Sequence, residues 1–132
     1  MSRPLAILCI DDDPDIRTIA AMALALDPAI AVRGAASGAD AIALLREEAW
    51  RPDAIMLDVT MPGMDGPATL AAIRALGLDE VPVIFMTARA RKTDLDSYDL
   101  LGADGVIVKP FDPLSLADDV RSLVDRGRAA RD

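Results

Sequence analysis

Apolar residues in this chain come in short unbroken runs separated by longer stretches of three-to-four periodicity. The runs at 5–10, 29–33, 54–57, 83–86 and 106–108 are brief and mostly continuous in apolar character, the pattern of strands covered on both faces. Between them lie helix signatures. Asp13-Pro14 reads as an N-cap followed by a proline at the first helical position, with Ile16, Ile19, Ala20 and Ala23 following on one face. Ser37 with Asp40 three residues later is a capping-box-like start for a helix carrying Ile42 and Leu45. A third helix is predicted over about 66–76, stopped by Gly77, and a fourth over about 93–101, followed by Gly102. Asp112-Pro113 repeats the cap-and-proline start before a fifth helix, whose buried stripe is Leu116, Val120, Leu123 and Val124. Five β-α units in alternation predict an α/β fold, a parallel sheet with right-handed crossovers and helices on both faces. Periodicity leaves the strand order open.

Composition narrows the class. A length of 132 residues suits one hydrophobic core, and an apolar fraction of 52% with only 3% aromatics means that aliphatic side chains fill it. We expect one domain over 1–127 and a short C-terminal tail over 128–132, with no repeat or linker. The net charge of −8 argues against a direct nucleic-acid partner, since phosphate-backbone binding needs a basic patch. The arginines Arg121, Arg126, Arg128 and Arg131 read as a solvated helix end. Cys9 is the single cysteine, so no internal disulfide forms, and its apolar neighbours make it a buried thiol in a reducing compartment. The opening apolar stretch is too short for a secretory signal, and nothing approaches the ~20 apolar residues of a membrane span. A cytoplasmic protein is expected. The chain has no histidine, which excludes Ser-His-Asp and Cys-His catalysis, histidine metal sites and a phosphohistidine of its own.

The chemistry collects at the strand ends. The first run ends in Asp11-Asp12, the third in Asp58, the fourth in Thr87 and the fifth in Lys109-Pro110; the second ends in Gly34-Ala35-Ala36 and adds nothing obvious. In open α/β sheets, ligands bind at the carboxyl ends of the strands. Three carboxylates, a hydroxyl and an ammonium therefore converge there. Each like-charge pair at ~4 Å repels by about 4 kcal/mol at an effective dielectric of about 20, and a hard divalent cation such as Mg2+ relieves this. The plainer reading makes these aspartates helix caps, and Asp13 fits that role.

Four segments carry a family pattern. Ile10-Asp11-Asp12-Asp13-Pro14 resembles the acidic opening of the receiver domains of two-component response regulators. The stretch Met56-Leu57-Asp58-Val59-Thr60-Met61-Pro62-Gly63-Met64-Asp65-Gly66 is similar to their phosphoacceptor segment, and Met86-Thr87-Ala88 and Val108-Lys109-Pro110-Phe111 resemble the remaining two signatures. The likeness spans about 5–124 and is closest in kind to single-domain, chemotaxis-type regulators. It implies a flavodoxin-like doubly wound sheet of five parallel strands in the order 2-1-3-4-5, with five helices on both faces. It also implies that Asp58 takes a phosphoryl group from a phosphohistidine, Thr87 and Lys109 engage the phosphoryl oxygens, and Asp12, Asp58 and the carbonyl of Thr60 ligate Mg2+ or Mn2+. Asp11 would act mainly through water.

The implied partners are a histidine kinase or phosphotransfer protein and a downstream protein target, with no membrane contact and an undecided oligomeric state. The chain would be a signalling module, catalysing only its own phosphorylation and dephosphorylation. Two alternatives stay open: a Mg2+-dependent phosphatase with an aspartate nucleophile, using Asp11 and Asp13 as a DxD pair, and a receiver-like docking domain that is never phosphorylated. In many relatives the position of Val106 holds an aromatic that swings inward on activation; Val106 has no ring and reads as strand packing. Thr60 and Arg89 occupy the positions that flank the path of the hydrolytic water in relatives. Met61 and Met64 read as loop or pocket fillers, Trp50 as a loop-edge packer, and Arg89, Arg91 and Lys92 first as a solvated loop.

Overall fold

A computed structural model of the chain describes residues 3–47 and 50–131. Five strands, β1 (Leu5–Ile10), β2 (Ile30–Ala35), β3 (Ala54–Asp58), β4 (Val83–Thr87) and β5 (Gly105–Val108), alternate with five helices. The helices are α1 (Pro14–Leu24), α2 (Gly38–Arg46), α3 (Gly66–Ala75), α4 (Lys92–Leu100) and α5 (Leu116–Arg131). All strand pairs are parallel and the order is β2-β1-β3-β4-β5, as the family resemblance implied.

The period of two along each strand builds two cores. Leu5, Ile7 and Cys9 of β1, Met56, Ile84 and Met86 face α1 and α5, where Ala20, Leu24, Leu116, Val120 and Val124 complete the layer. Leu8, Ile10, Ile55, Leu57, Val83 and Phe85 face the other way, onto Ile42, Leu45, Leu70, Ile73 and Tyr98 of α2, α3 and α4. Strands β3 and β4 are buried along their whole length, which explains their unbroken apolar runs.

Local signals set the helix starts. The Asp13 carboxylate accepts from the Asp15 amide, with Pro14 opening α1. Ser37 accepts from the Asp40 amide at α2, and Asp65 from the Ala68 amide at α3. Gly77 and Gly102, which follow α3 and α4, have φ of 87° and 95°, conformations that favour glycine after a helix.

Four expectations need correction. Strands β3 and β4 run one residue further, so Asp58 and Thr87 close their strands rather than follow them, while β2 is shifted to Ile30–Ala35. Helix α1 buries Ala20, Ala23 and Leu24, and Ile19 lies exposed beside Met22 and Leu26. Asp112-Pro113 begins a turn, in which the Asp112 carbonyl accepts from the amides of Ser115 and Leu116, and regular helix starts only at Leu116. At the far end α5 continues through Arg131 where a tail was expected from Arg128. Arg131 holds it there with both Asp104 oxygens and the Asp79 carbonyl, and Arg128 pairs with Asp53. Asp132 lies outside the described residues.

One close approach positions the β3–α3 loop under the sheet edge. The Gly66 amide donates to the Val59 carbonyl, and a methyl group on Gly66 would lie 2.7 Å from both the Asp58 carbonyl oxygen and the Val59 Cα. Backbone cannot yield as a flexible side chain can. Gly66→Ala is therefore expected to lower stability by about 1–3 kcal/mol, read as a lower urea midpoint at unchanged m-value.

Candidate functional site

The carboxyl edge of the sheet brings together the residues singled out at the strand ends. Asp11 follows β1 and is fully buried; its amide donates to the Ala35 carbonyl, and its carbonyl accepts from the Arg17 guanidinium at 2.6 Å. One Asp11 carboxylate oxygen accepts from the Asp13 amide at 3.0 Å, and the other from Lys109 Nζ at 2.7 Å. Asp58 closes β3 at 6% exposure, with Oδ1 3.3 Å from Lys109 Nζ and 3.3 Å from the Thr60 amide. Asp12 is exposed beside them. Among the described residues, Asp11, Asp12 and Asp58 can each present a carboxylate oxygen within 4.8 Å of the others.

Thr87 ends β4 buried, its hydroxyl accepting from the Arg89 amide at 2.9 Å and lying 3.2 Å from the Tyr98 hydroxyl. Asp58, Thr60, Thr87, Ala88, Arg89 and Lys109 line a cavity of about 260 Å3 at this edge. Asp13 stands outside the carboxylate cluster as the N-cap of α1, so the Asp11–Asp13 pair of the phosphatase alternative is not assembled.

Three carboxylates face one ammonium, and the electrostatics follow. Burial pushes the Asp58 pKa up, and the negative charge of Asp11 adds to it; Lys109 and the Thr60 amide oppose the rise without cancelling it. Burial works against a charged Lys109, but its hydrogen bond to Asp11 and the charges of Asp11 and Asp58 prevail and raise its pKa. Lys109 thus stays an ammonium and serves as the site's internal counter-ion. Cys9, buried beneath the site, has its thiol pushed up to about 12, first by burial and then by Asp11, and is an inert core residue. The donor set fits Mg2+: carboxylate oxygens, one of them exposed, with more negative charge than the single lysine can neutralise.

Comparison with known proteins accounts for this arrangement. The family model described as the response regulator receiver domain matches residues 7–121. The chain belongs to that family. This receiver is 39% identical over 122 residues to the transcriptional regulatory protein AfsQ1 of Streptomyces coelicolor, a match covering 92% of this chain and 52% of AfsQ1. It is 38% identical over 120 residues to PrrA of Mycobacterium tuberculosis, covering 91% and 50%. The receiver therefore spans about half the length of these relatives. Its fold superposes on the chemotaxis protein CheY4 of Vibrio cholerae with a TM-score of 0.80 at 28% identity, covering 91% of this chain and 98% of that one. The Francisella response regulator 1452 receiver domain gives 0.80 at 26% identity, covering 92% and 98%. The expected absence of a nucleic-acid partner gains no support from AfsQ1 and PrrA, which are transcriptional regulatory proteins. Among the described residues, no helix is long and apolar enough to cross a membrane.

Two contributors to the receiver's site were not singled out in the sequence. Arg17 reaches back from α1 to the Asp11 carbonyl, and Tyr98 reaches in from α4 to Thr87. The signal for Tyr98 was present as the only aromatic in a helix whose other apolar residues are Leu95 and Leu100. Arg17 had none beyond its position one turn into α1. Val106 is half-buried against the α2–α3–α4 side of the core, as plain strand packing, and Trp50 lies with the Arg33 guanidinium 5.1 Å above its ring.

The raised Asp58 pKa carries a stability consequence. The folded protein holds this proton more tightly than the unfolded chain, so stability falls as pH rises from the ordinary carboxylate value of 3.8 through the higher folded value. In a chelating buffer, Asp58→Asn is expected to be more stable than the parent at pH 7, because it carries no buried charge beside Asp11. That advantage is expected to vanish below the ordinary carboxylate value, as read from urea denaturation across pH.

Proposed function

We propose that this receiver accepts a phosphoryl group from a phosphohistidine onto Asp58 and thereby changes the surface it offers to a protein partner. The observation that carries the reading is that Asp58, Thr87 and Lys109 line one cavity, with Lys109 Nζ 3.3 Å from Asp58 and the carboxylates of Asp11 and Asp12 able to come within 4.8 Å of it. Phosphoryl transfer asks the protein mainly to position the group and neutralise its equatorial oxygens. A carboxylate oxygen of Asp58 forms the new bond to phosphorus while the phosphorus–nitrogen bond of the donor breaks, its electron pair returning to the imidazole. Lys109 and the Thr60 amide favour the ionised, nucleophilic form of Asp58 against its burial beside Asp11.

Lys109 needs no proton chemistry: its ammonium turns from the carboxylates to a phosphoryl oxygen, a charge-assisted hydrogen bond. Thr87 donates its hydroxyl to another oxygen. Asp11, Asp12, Asp58 and the Thr60 carbonyl would hold Mg2+ or Mn2+, with Asp11 acting mainly through water. The bound cation supplies charge neutralisation for the transferring group. Arg89 lines the same cavity, and in relatives its position flanks the path of the hydrolytic water. The donor is a histidine kinase or a phosphotransfer protein in the cytoplasm. The chain catalyses its own phosphorylation and dephosphorylation and nothing on a free substrate. The names of AfsQ1 and PrrA favour transcription control as the downstream outcome, reached through a protein contact by a chain of net charge −8.

Acetyl phosphate with Mg2+ is expected to label the parent protein, and both Asp58→Asn and excess chelator are expected to abolish labelling. The label should be acid-stable relative to base and released by hydroxylamine, as an acyl phosphate is. Undiminished labelling in folded Asp58→Asn, or full labelling in chelator, contradicts the reading.

A further inference from the structure

Helix α4 is attached to the domain differently from the other helices. Each of the others buries at least three residues, whereas α4 buries only Tyr98. Leu95 and Leu100 of the same helix point outward at 39% and 88% exposure. The Tyr98 ring meets Phe85 of β4 edge-on, with centroids 5.4 Å apart and planes at 89°, a favourable aromatic arrangement. Its hydroxyl lies 3.2 Å from the Arg89 carbonyl oxygen and 3.2 Å from Thr87 Oγ1.

Counting protons orients this network. The Arg89 carbonyl can only accept, so it takes the single phenol proton. The Tyr98 oxygen is then left as an acceptor, and the Thr87 hydroxyl must donate to it. Thr87 Oγ1 in turn accepts from the Arg89 amide at 2.9 Å. Three hydrogen bonds close a ring through Arg89, Thr87 and Tyr98, and the only Thr87 proton is committed to Tyr98. Yet Thr87 also lines the cavity that holds Asp58 and Lys109. One proton cannot serve both a phenol oxygen and a phosphoryl oxygen.

We propose that Tyr98 is a positioning residue that couples the Asp58 site to α4 by competing for the Thr87 hydroxyl proton. With Asp58 free, Thr87 is turned to Tyr98 and α4 is held down. Once Asp58 carries a phosphoryl group, Thr87 donates to it instead, and the phenol loses one of its two polar partners. The loosened element is α4 with its exposed Leu95 and Leu100, so the altered surface lies there. Val106, with no polar side-chain atom, cannot sense Thr87 in this way. The inference rests on the phosphoacceptor reading of Asp58.

Tyr98 is the only tyrosine in the chain, so incorporation of 3-fluorotyrosine gives one fluorine resonance to follow. Acetyl phosphate with Mg2+ is expected to replace this resonance by a second, in proportion to the phosphorylated fraction read by intact mass. Protein fully phosphorylated on Asp58 with an unmoved resonance overturns the proposal and leaves the phosphoacceptor reading intact; absence of any Asp58 label overturns both. Tyr98→Phe keeps the edge contact with Phe85 but frees the Thr87 proton. By linkage, its affinity for beryllofluoride, a phosphoryl mimic, should then rise about fivefold, the equilibrium weight of one neutral hydrogen bond. An unchanged or weaker affinity in that variant overturns the coupling.

Discussion

Three carboxylates share one end of the sheet with a single ammonium, and this unequal charge set governs what the strand ends can do. Lys109 Nζ sits 2.7 Å from Asp11 and 3.3 Å from Asp58, so the lysine is spread over two buried acids and neutralises neither fully. Burial, and after it the Asp11 charge, raise the Asp58 pKa, while Asp12 remains exposed beside it. Such a site is poised to gain from added positive charge. The surrounding fold exists to hold that imbalance in place: β1, β3, β4 and β5 each deliver one part, and their parallel pairing sets the parts side by side.

The same edge links chemistry to shape. Thr87 is the hinge between them, because its hydroxyl belongs both to the cavity wall and to the ring of hydrogen bonds with Arg89 and Tyr98. A charge change at Asp58 becomes a packing change at α4 only if that hydroxyl must choose. Helix α4 is suited to respond, since it is polar, lightly buried and pinned by one side chain. Rigid neighbours make the response local: β4 is buried throughout, and α5 is tied at its end by Arg131 to Asp104.

Much of this was legible in the sequence, and for physical reasons. Strands buried on both faces leave continuous apolar runs, so β1, β3 and β4 appeared at or within one residue of their true positions, while the half-exposed β2 was placed less well. Asp58, Thr87 and Lys109 were visible as polar residues ending such runs, and Asp13-Pro14, Ser37 and Gly77 marked helix ends through local backbone needs. Strand order was not legible from periodicity, because pairing depends on crossovers that no local pattern encodes; the family resemblance supplied it. Residues whose roles arise only from long-range contact were missed. Tyr98 is a tyrosine in a polar segment until β4 lies under it, and Arg17 is a surface arginine until the Asp11 carbonyl comes within 2.6 Å. The end of α5 was misjudged likewise, since Arg128 and Arg131 find Asp53 and Asp104 only in the folded chain.

The central claim is that one particular carboxylate of the three receives the phosphoryl group. Borohydride converts an aspartyl phosphate to homoserine, so reduction of the acetyl-phosphate-treated protein followed by tandem mass spectrometry names the residue. Homoserine is expected at position 58 alone. Homoserine at position 11 or 12, or a phosphate on a hydroxyl side chain with Asp58 unmodified, would contradict it.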